Sequence, residues 1–168
     1  STREGYVVYL DELLNRAVEK AREIIEEKSP NLPDKDKVAR QVGIGAVVFF
    51  DLFNNRIKDI DFRWDRALNF DGETGPYVQY THARCCSVLR KAGACDAACD
   101  YSGLATPEAQ DVIRLLEQFP ALVADATDRN EPSMITRYSI SLAQAFNKFY
   151  YENRILDDDM GIRAARLE

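Results

Sequence analysis

Residues 71–93 read Asp71-Gly72-Glu73-Thr74-Gly75-Pro76, a run of turn residues, followed by Tyr77-Val78-Gln79-Tyr80-Thr81-His82-Ala83-Arg84 and on through Arg90-Lys91-Ala92 to Gly93. Pro76 has the fixed φ that suits a first helical turn, and Gly93 suits the left-handed residue that closes a helix, so the spacing predicts a helix over 77–92. Tyr77, Tyr80 and Arg84 fall three and four residues apart and so share one face of it. Between Gly75 and Gly93 the only ionised residues are Arg84, Arg90 and Lys91, with no Asp or Glu. That makes a basic, aromatic strip in a chain with 22 Lys+Arg, 28 Asp+Glu and a net charge of −6.

Working outward, the same helical logic recurs on both sides. Leu13, Leu14, Ala17, Val18, Ala21, Ile24 and Ile25 repeat at helical spacing until Ser29-Pro30 breaks the pattern. Asp34 is expected to cap a second helix through Val38, Val42, Ala46, Val47 and Phe50, which Gly43 and Gly45 weaken. After the turn at Asn54-Asn55, Ile57, Ile60, Phe62 and Trp64 suit a short extended or irregular connection. Thr106-Pro107 and Glu131-Pro132 repeat the polar-then-proline opening and predict helices over 107–118 and 132–153, with Pro120 separating an additional helix over 121–128. No alternation of strand and helix is present, so the chain reads as all-α, a mostly helical bundle with short connections.

Composition narrows the function. With 168 residues, 46% hydrophobic and 30% charged, the chain has the makeup of a folded protein of about one domain or slightly more. The longest apolar run, Ala46 to Phe50, is closed by Asp51, far short of the roughly 20 residues of a membrane-spanning helix, so no membrane partner is expected. The opening residues lack the pattern of an export signal, and the cytosol is the default expectation. An acidic balance argues against binding nucleic acid by bulk charge, so any such contact must be local.

Candidate chemistry is sparse. The chain has no Gly-rich phosphate loop, no HExxH, no GxSxG and one histidine, His82, which is expected to pack or to make a structural hydrogen bond. Cys85, Cys86, Cys95 and Cys99 lack paired metal-ligand spacing and read as reduced, small hydrophobes, so no metal site is expected. Asp157-Asp158-Asp159 reads as a solvated acidic turn, lacking the alternating spacing of a calcium loop. The tyrosine and arginine strip suits single-stranded RNA, because aromatic faces stack on unpaired bases and a guanidinium holds phosphate or a base edge. The same spacing also suits tyrosines packed within a bundle. In the last long helix Phe146 and Tyr150, four apart, form either a second stacking pair or part of the core.

The segments Val42-Gly43-Ile44-Gly45-Ala46-Val47-Val48-Phe49-Phe50 and Asn69-Phe70-Asp71-Gly72-Glu73-Thr74-Gly75-Pro76-Tyr77-Val78-Gln79-Tyr80-Thr81-His82-Ala83-Arg84 together resemble the arginyl-tRNA synthetases. The resemblance runs through nearly the whole chain. It implies a helical bundle of the class I synthetase anticodon-binding type over residues 69–168, preceded over residues 1–68 by the end of the catalytic domain and its linking helices. Ser1, Thr2 and Arg3 resemble the tail of the KMSK-type signature loop, without its leading Lys-Met and its second lysine. The HIGH motif and the Rossmann sheet have no counterpart here.

The chain is therefore expected to be a fragment, shortened at its C-terminal end, and catalytically inert alone. In the whole enzyme the resemblance implies arginine activated by ATP with Mg2+ and transferred to the arginine-specific tRNA; the fragment itself is expected to bind no cofactor. Tyr77, Tyr80 and Arg84 match the family's anticodon-contacting helix, Asn69, Asp71 and Gly72 match the loop before it, and Phe146 and Tyr150 match a later region near the anticodon. The alternative from a different class is a helical protein-protein interaction module whose tyrosines are buried.

Overall fold

The computed structural model describes residues 9–55, 57 and 62–168. The described residues contain helices and turns and no strand, in agreement with the all-α expectation. The signature-loop residues Ser1, Thr2 and Arg3, and Ile60 of the connection, lie outside them. The chain divides into two compact units, Ser1–Tyr77 and Val78–Glu168.

Unit one is built on α1 (Leu10–Lys28) and α2 (Lys35–Phe53). Acidic Asp11 and Glu12 open α1 and basic Lys28 closes it, each complementing the helix dipole. The facing sides carry small residues, with Ala17 and Ala21 on α1 against Ala39, Gly43 and Ala46 on α2, all buried. Gly43 is required here by contact, because a Cβ on it would lie 2.6 Å from the backbone carbonyl carbon and oxygen of Ala17. The glycine read as weakening the helix is thus what lets it meet its neighbour. Ile25 and Leu68 complete the core, with Val18, Leu32, Val42 and Trp64 packed around them.

One expectation for this unit is corrected. Asp34 bounds α2 but does not cap it with its side chain; its backbone is left-handed, at φ 56°, and no capping bond forms. Of the two readings of the connection the irregular one holds over its described residues, and Trp64 opens a one-turn helix, α3 (Trp64–Ala67). Phe62 meets Phe50 and Trp64 edge-on, with ring centres 5.1 and 4.9 Å away, and the Arg16 guanidinium lies 5.6 Å from the Trp64 ring. These aromatic contacts fasten the segment to α1 and α2.

The start of α4 (Gly75–Ala92) is fixed by the loop before it. Thr74 accepts a bond from the Tyr77 N–H at 3.2 Å, the geometry of a helix N-cap, and its hydroxyl donates to the Asn69 carbonyl. Asn69 in turn accepts from the Asp71 N–H at 2.8 Å. A Cβ on Gly75 would lie 2.9 Å from the Gly45 carbonyl oxygen and from Phe49 Cβ, so glycine is needed there as well.

Unit two contains the rest of α4, closed by Gly93 at φ +63°, then a 3-10 turn (Tyr101–Leu104) and three more helices. These are α5 (Pro107–Asp128), α6 (Ser133–Glu152) and α7 (Met160–Leu167). Val88, Ala109, Phe149 and Ile155 form the core, with Leu104, Val112, Phe146, Leu156 and Leu167 against it. Arginines of α7 tie the unit together, Arg163 donating to the Ala92 carbonyl at 2.7 Å and Arg166 to the Gly103 carbonyl at 3.1 Å.

Here too the sequence reading is corrected. Thr106 caps α5 as expected, but α5 does not stop before Pro120; it runs through that residue to Asp128. Pro120 is exposed, and the Tyr138 hydroxyl of α6 donates to the carbonyl of Leu115 at 2.8 Å, one residue before the Leu116 carbonyl that loses its helical donor. Pro132 is the N-cap of α6 and not its first residue. The acidic turn is not merely solvated: Asp158 is bidentate to Arg154 at 2.7 and 3.0 Å, Asp157 pairs with Arg166 at 3.1 Å, and Asp159 caps α7 by accepting from Gly161 and Ile162.

Candidate nucleic-acid interface

On α4, Tyr80, Arg84, Ser87 and Lys91 succeed one another at intervals of four, three and four, while Val88 turns into the core. They line one wall of a cleft of ≈ 650 Å³ whose other wall is Tyr150, at the end of α6, and the segment Asn153 to Leu156 that follows it. Arg84 lies between two rings, its guanidinium carbon 5.0 Å from the centre of Tyr80 and 5.0 Å from that of Tyr150. Tyr80 is 52% exposed and Tyr150 40% exposed, so each ring keeps free surface beside the cation.

The cleft is electropositive by composition. Arg84, Lys91 and Arg154 line it, and no Asp or Glu does, although Arg154 is paired from outside with Asp158. Arg90, the third cation of the strip, does not line it. Asn147 on α6 accepts a hydrogen bond from Arg84 and donates one at 2.9 Å to the hydroxyl of Thr81. The Tyr80 hydroxyl accepts a longer bond from Arg84 at 3.4 Å.

The structure thus brings together Tyr80, Arg84 and Tyr150 of the residues singled out in the sequence. Phe146 is tilted against Tyr150, with ring centres 6.2 Å apart, but packs on the core of unit two and supports the site from behind. Asn69, Asp71, Gly72 and Tyr77 belong to unit one. There, Asn69 and Gly72 border a second cleft of ≈ 430 Å³ with Phe49, Phe53 and Arg66, Asp71 is exposed, and Tyr77 is half-buried. Sequence reasoning missed Asn147 and Arg154; Asn147 carried one signal, its position three residues before Tyr150 on the same face of α6.

Other candidate groups have different surroundings. His82 is exposed on α4, with its Nε2 3.7 Å from the Cys86 sulfur. All four cysteines are free, and burial together with the neighbouring Cys86 pushes the Cys85 thiol up. Among the described residues no three His, Cys, Asp or Glu side chains are grouped to hold a metal ion, and no helix is long and apolar enough to cross a membrane.

Comparison with known proteins gives the family. The family model described as the DALR anticodon binding domain matches residues 78–168, and that of the class I (R) tRNA synthetase catalytic domain matches residues 1–64. An arginine-tRNA ligase of Clostridioides difficile is 54% identical over 168 residues, and one of Alkaliphilus metalliredigens is 55% identical over 169; each alignment takes in 99% of this chain and 30% of the relative. The chain thus spans about 30% of the length of the curated relatives it matches. Among solved structures, Thermus thermophilus arginyl-tRNA synthetase matches with a TM-score of 0.88 and 41% identity, over 96% of this chain and 28% of that one. An arginyl-tRNA synthetase from Plasmodium falciparum shares the fold, with a TM-score of 0.76 at 23% identity over 96% of this chain and 29% of that one.

Proposed function

The chain belongs to the arginyl-tRNA synthetase family and carries its DALR anticodon binding domain over residues 78–168, and from this premise we propose that unit two binds the anticodon loop of arginine-specific tRNA at the Tyr80–Arg84–Tyr150 cleft. The observation that carries the reading is the placement of one guanidinium between two partly exposed tyrosine rings in a cleft whose lining holds no carboxylate. An unpaired base gains about 1–3 kcal/mol from an aromatic face, and an arginine adds cation-π and hydrogen-bonding interactions to the same base or its phosphate. A local cluster of this kind works within a chain of net charge −6 because screening confines the repulsion of distant carboxylates to about 8–10 Å at ordinary ionic strength.

The loop residues Asn69, Asp71 and Gly72, with Tyr77, are proposed as a further part of the anticodon contact. For the whole protein we propose the ligase reaction, arginine joined to its tRNA with ATP and Mg2+ in the cytoplasm, with this chain supplying RNA contacts and no reacting group. The protein-interaction alternative required buried tyrosines, and the exposure of Tyr80 favours the RNA reading over it.

The test is titration of a labelled arginine-tRNA anticodon stem-loop at low salt beside one whose anticodon bases are scrambled. Preference for the native loop is the expected result. Equal binding of both would reduce the interaction to unspecific charge attraction, and no binding by folded protein would move the interaction-module reading ahead.

A further inference from the structure

An arginine side chain loses about 2 kcal/mol of rotamer entropy when it is held in one conformation. Stacking between two partly exposed rings does not by itself fix the direction in which its N–H groups point. At Arg84 that direction is set from α6, where the Asn147 carbonyl oxygen accepts from one terminal nitrogen. The Asn147 amide is held in turn, since its NH2 donates to the Thr81 hydroxyl at 2.9 Å and Thr81 is only 5% exposed. Chemistry allows one orientation of this amide: a guanidinium offers donors only, so the oxygen must face Arg84 and the nitrogen must face Thr81.

The choice of a neutral partner is informative. Among the described residues five other arginines are paired with carboxylates, in Arg22–Asp36, Arg114–Asp111, Arg129–Asp125, Arg154–Asp158 and Arg166–Asp157. A carboxylate would add ionic attraction to the hydrogen bond at Arg84 and could hold the guanidinium through two parallel bonds, and with 28 Asp+Glu in the chain the acidic alternative is abundant. It would also cancel the charge at the centre of the cleft.

We propose that Asn147 is a positioning residue that fixes the Arg84 guanidinium between Tyr80 and Tyr150 while leaving its positive charge available to bound RNA. The inference rests on the anticodon reading above and adds to it the group that aims the arginine. It separates two contributions which one variant each removes. Asn147→Asp keeps an acceptor on Arg84 and neutralises the charge; Asn147→Ala keeps the charge and frees the guanidinium.

The experiment titrates native and scrambled anticodon stem-loops over a series of salt concentrations with the 168-residue wild-type chain and both variants, with thermal unfolding recorded alongside. For Asn147→Asp the expected result is weaker binding of both RNAs and a slope of log affinity against log salt that is shallower by roughly 0.7–0.9, the loss of one phosphate contact. For Asn147→Ala the slope is unchanged and the preference for the native loop falls about tenfold, the scale of one hydrogen bond to a charged group. Should Asn147→Ala unfold, Asn147→Ser, too short to reach both partners, takes its place. Equal losses on both RNAs with no change of slope in either variant would reduce Asn147 to a packing role and overturn the inference alone. Failure of the wild-type chain to prefer the native loop would overturn the anticodon reading and this inference with it.

Discussion

The guanidinium carbon of Arg84 lies 5.0 Å from the ring centre of Tyr150, which joins the middle of α4 to the end of α6 across one cleft. Tyr80 lies at the same distance on the α4 side. Removing either ring should therefore weaken RNA binding without unfolding the unit. Tyr80→Ala and Tyr150→Ala are each expected to cost about 1–3 kcal/mol in affinity for the native stem-loop. Tyr80→Phe, which keeps the ring and loses only a 3.4 Å contact, should retain most of it. Fluorescence titration of the three variants checks this, and wild-type affinity in both alanine variants would remove the rings from the interface.

In unit one the decisive contact is between backbones. A methyl group on Gly43 would meet the Ala17 carbonyl at 2.6 Å, where no flexible side chain can give way. Alanine restores about 1 kcal/mol of helix propensity, but parting α1 from α2 costs more, so Gly43→Ala should lower stability by about 1–3 kcal/mol net. Urea denaturation followed by far-ultraviolet circular dichroism reads the difference.

Pro120 points the other way. It sits exposed inside α5 and denies the Leu116 carbonyl its usual helical donor. Pro120→Ala should raise the stability of unit two by up to about 3 kcal/mol, with the Tyr138 to Leu115 bond retained. A drop in the unfolding midpoint would mean that the geometry imposed by proline is itself needed for packing on α6.

Asp100 gives a pH signature. Its carboxylate accepts from the hydroxyl and the backbone N–H of Ser102, which holds its pKa below the ordinary 3.8. A depressed carboxylate contributes stability above the ordinary value and loses that contribution as pH falls through the lowered one. The stability gap between the wild-type chain and Asp100→Ala should accordingly be full at neutral pH and close progressively in acid below 3.8. A gap constant down to pH 2 would rule the ionised cap out.

Much of this architecture was readable locally. Helix periodicity, the Pro76 opening and the Gly93 stop depend on residues within one or two turns of each other, and α1, α2 and α4 follow them closely. The shared face of Tyr80 and Arg84 is of the same kind, since spacing along one helix sets it. The choice between stacking and core for Phe146 and Tyr150 was not readable, because residues four apart on α6 differ only in how far each turns toward Val88 and Ile155. Pro120 sits inside an unbroken α5, where the loss of a donor for the Leu116 carbonyl is local but the Tyr138 contact beside it, on the Leu115 carbonyl, comes from another part of the chain. Asp157 acquired a partner, Arg166, that becomes its neighbour only when α7 folds back, whereas the partners of Asp158 and Asp159 lie within four residues. Asn147 carried only its place three residues before Tyr150, for an amide means little until Arg84 and Thr81 stand on either side of it. Periodicity acts over a few residues and is written in the chain; burial, pairing and the aim of a charge are set by which surfaces meet, and those contacts exist only in the assembled bundle.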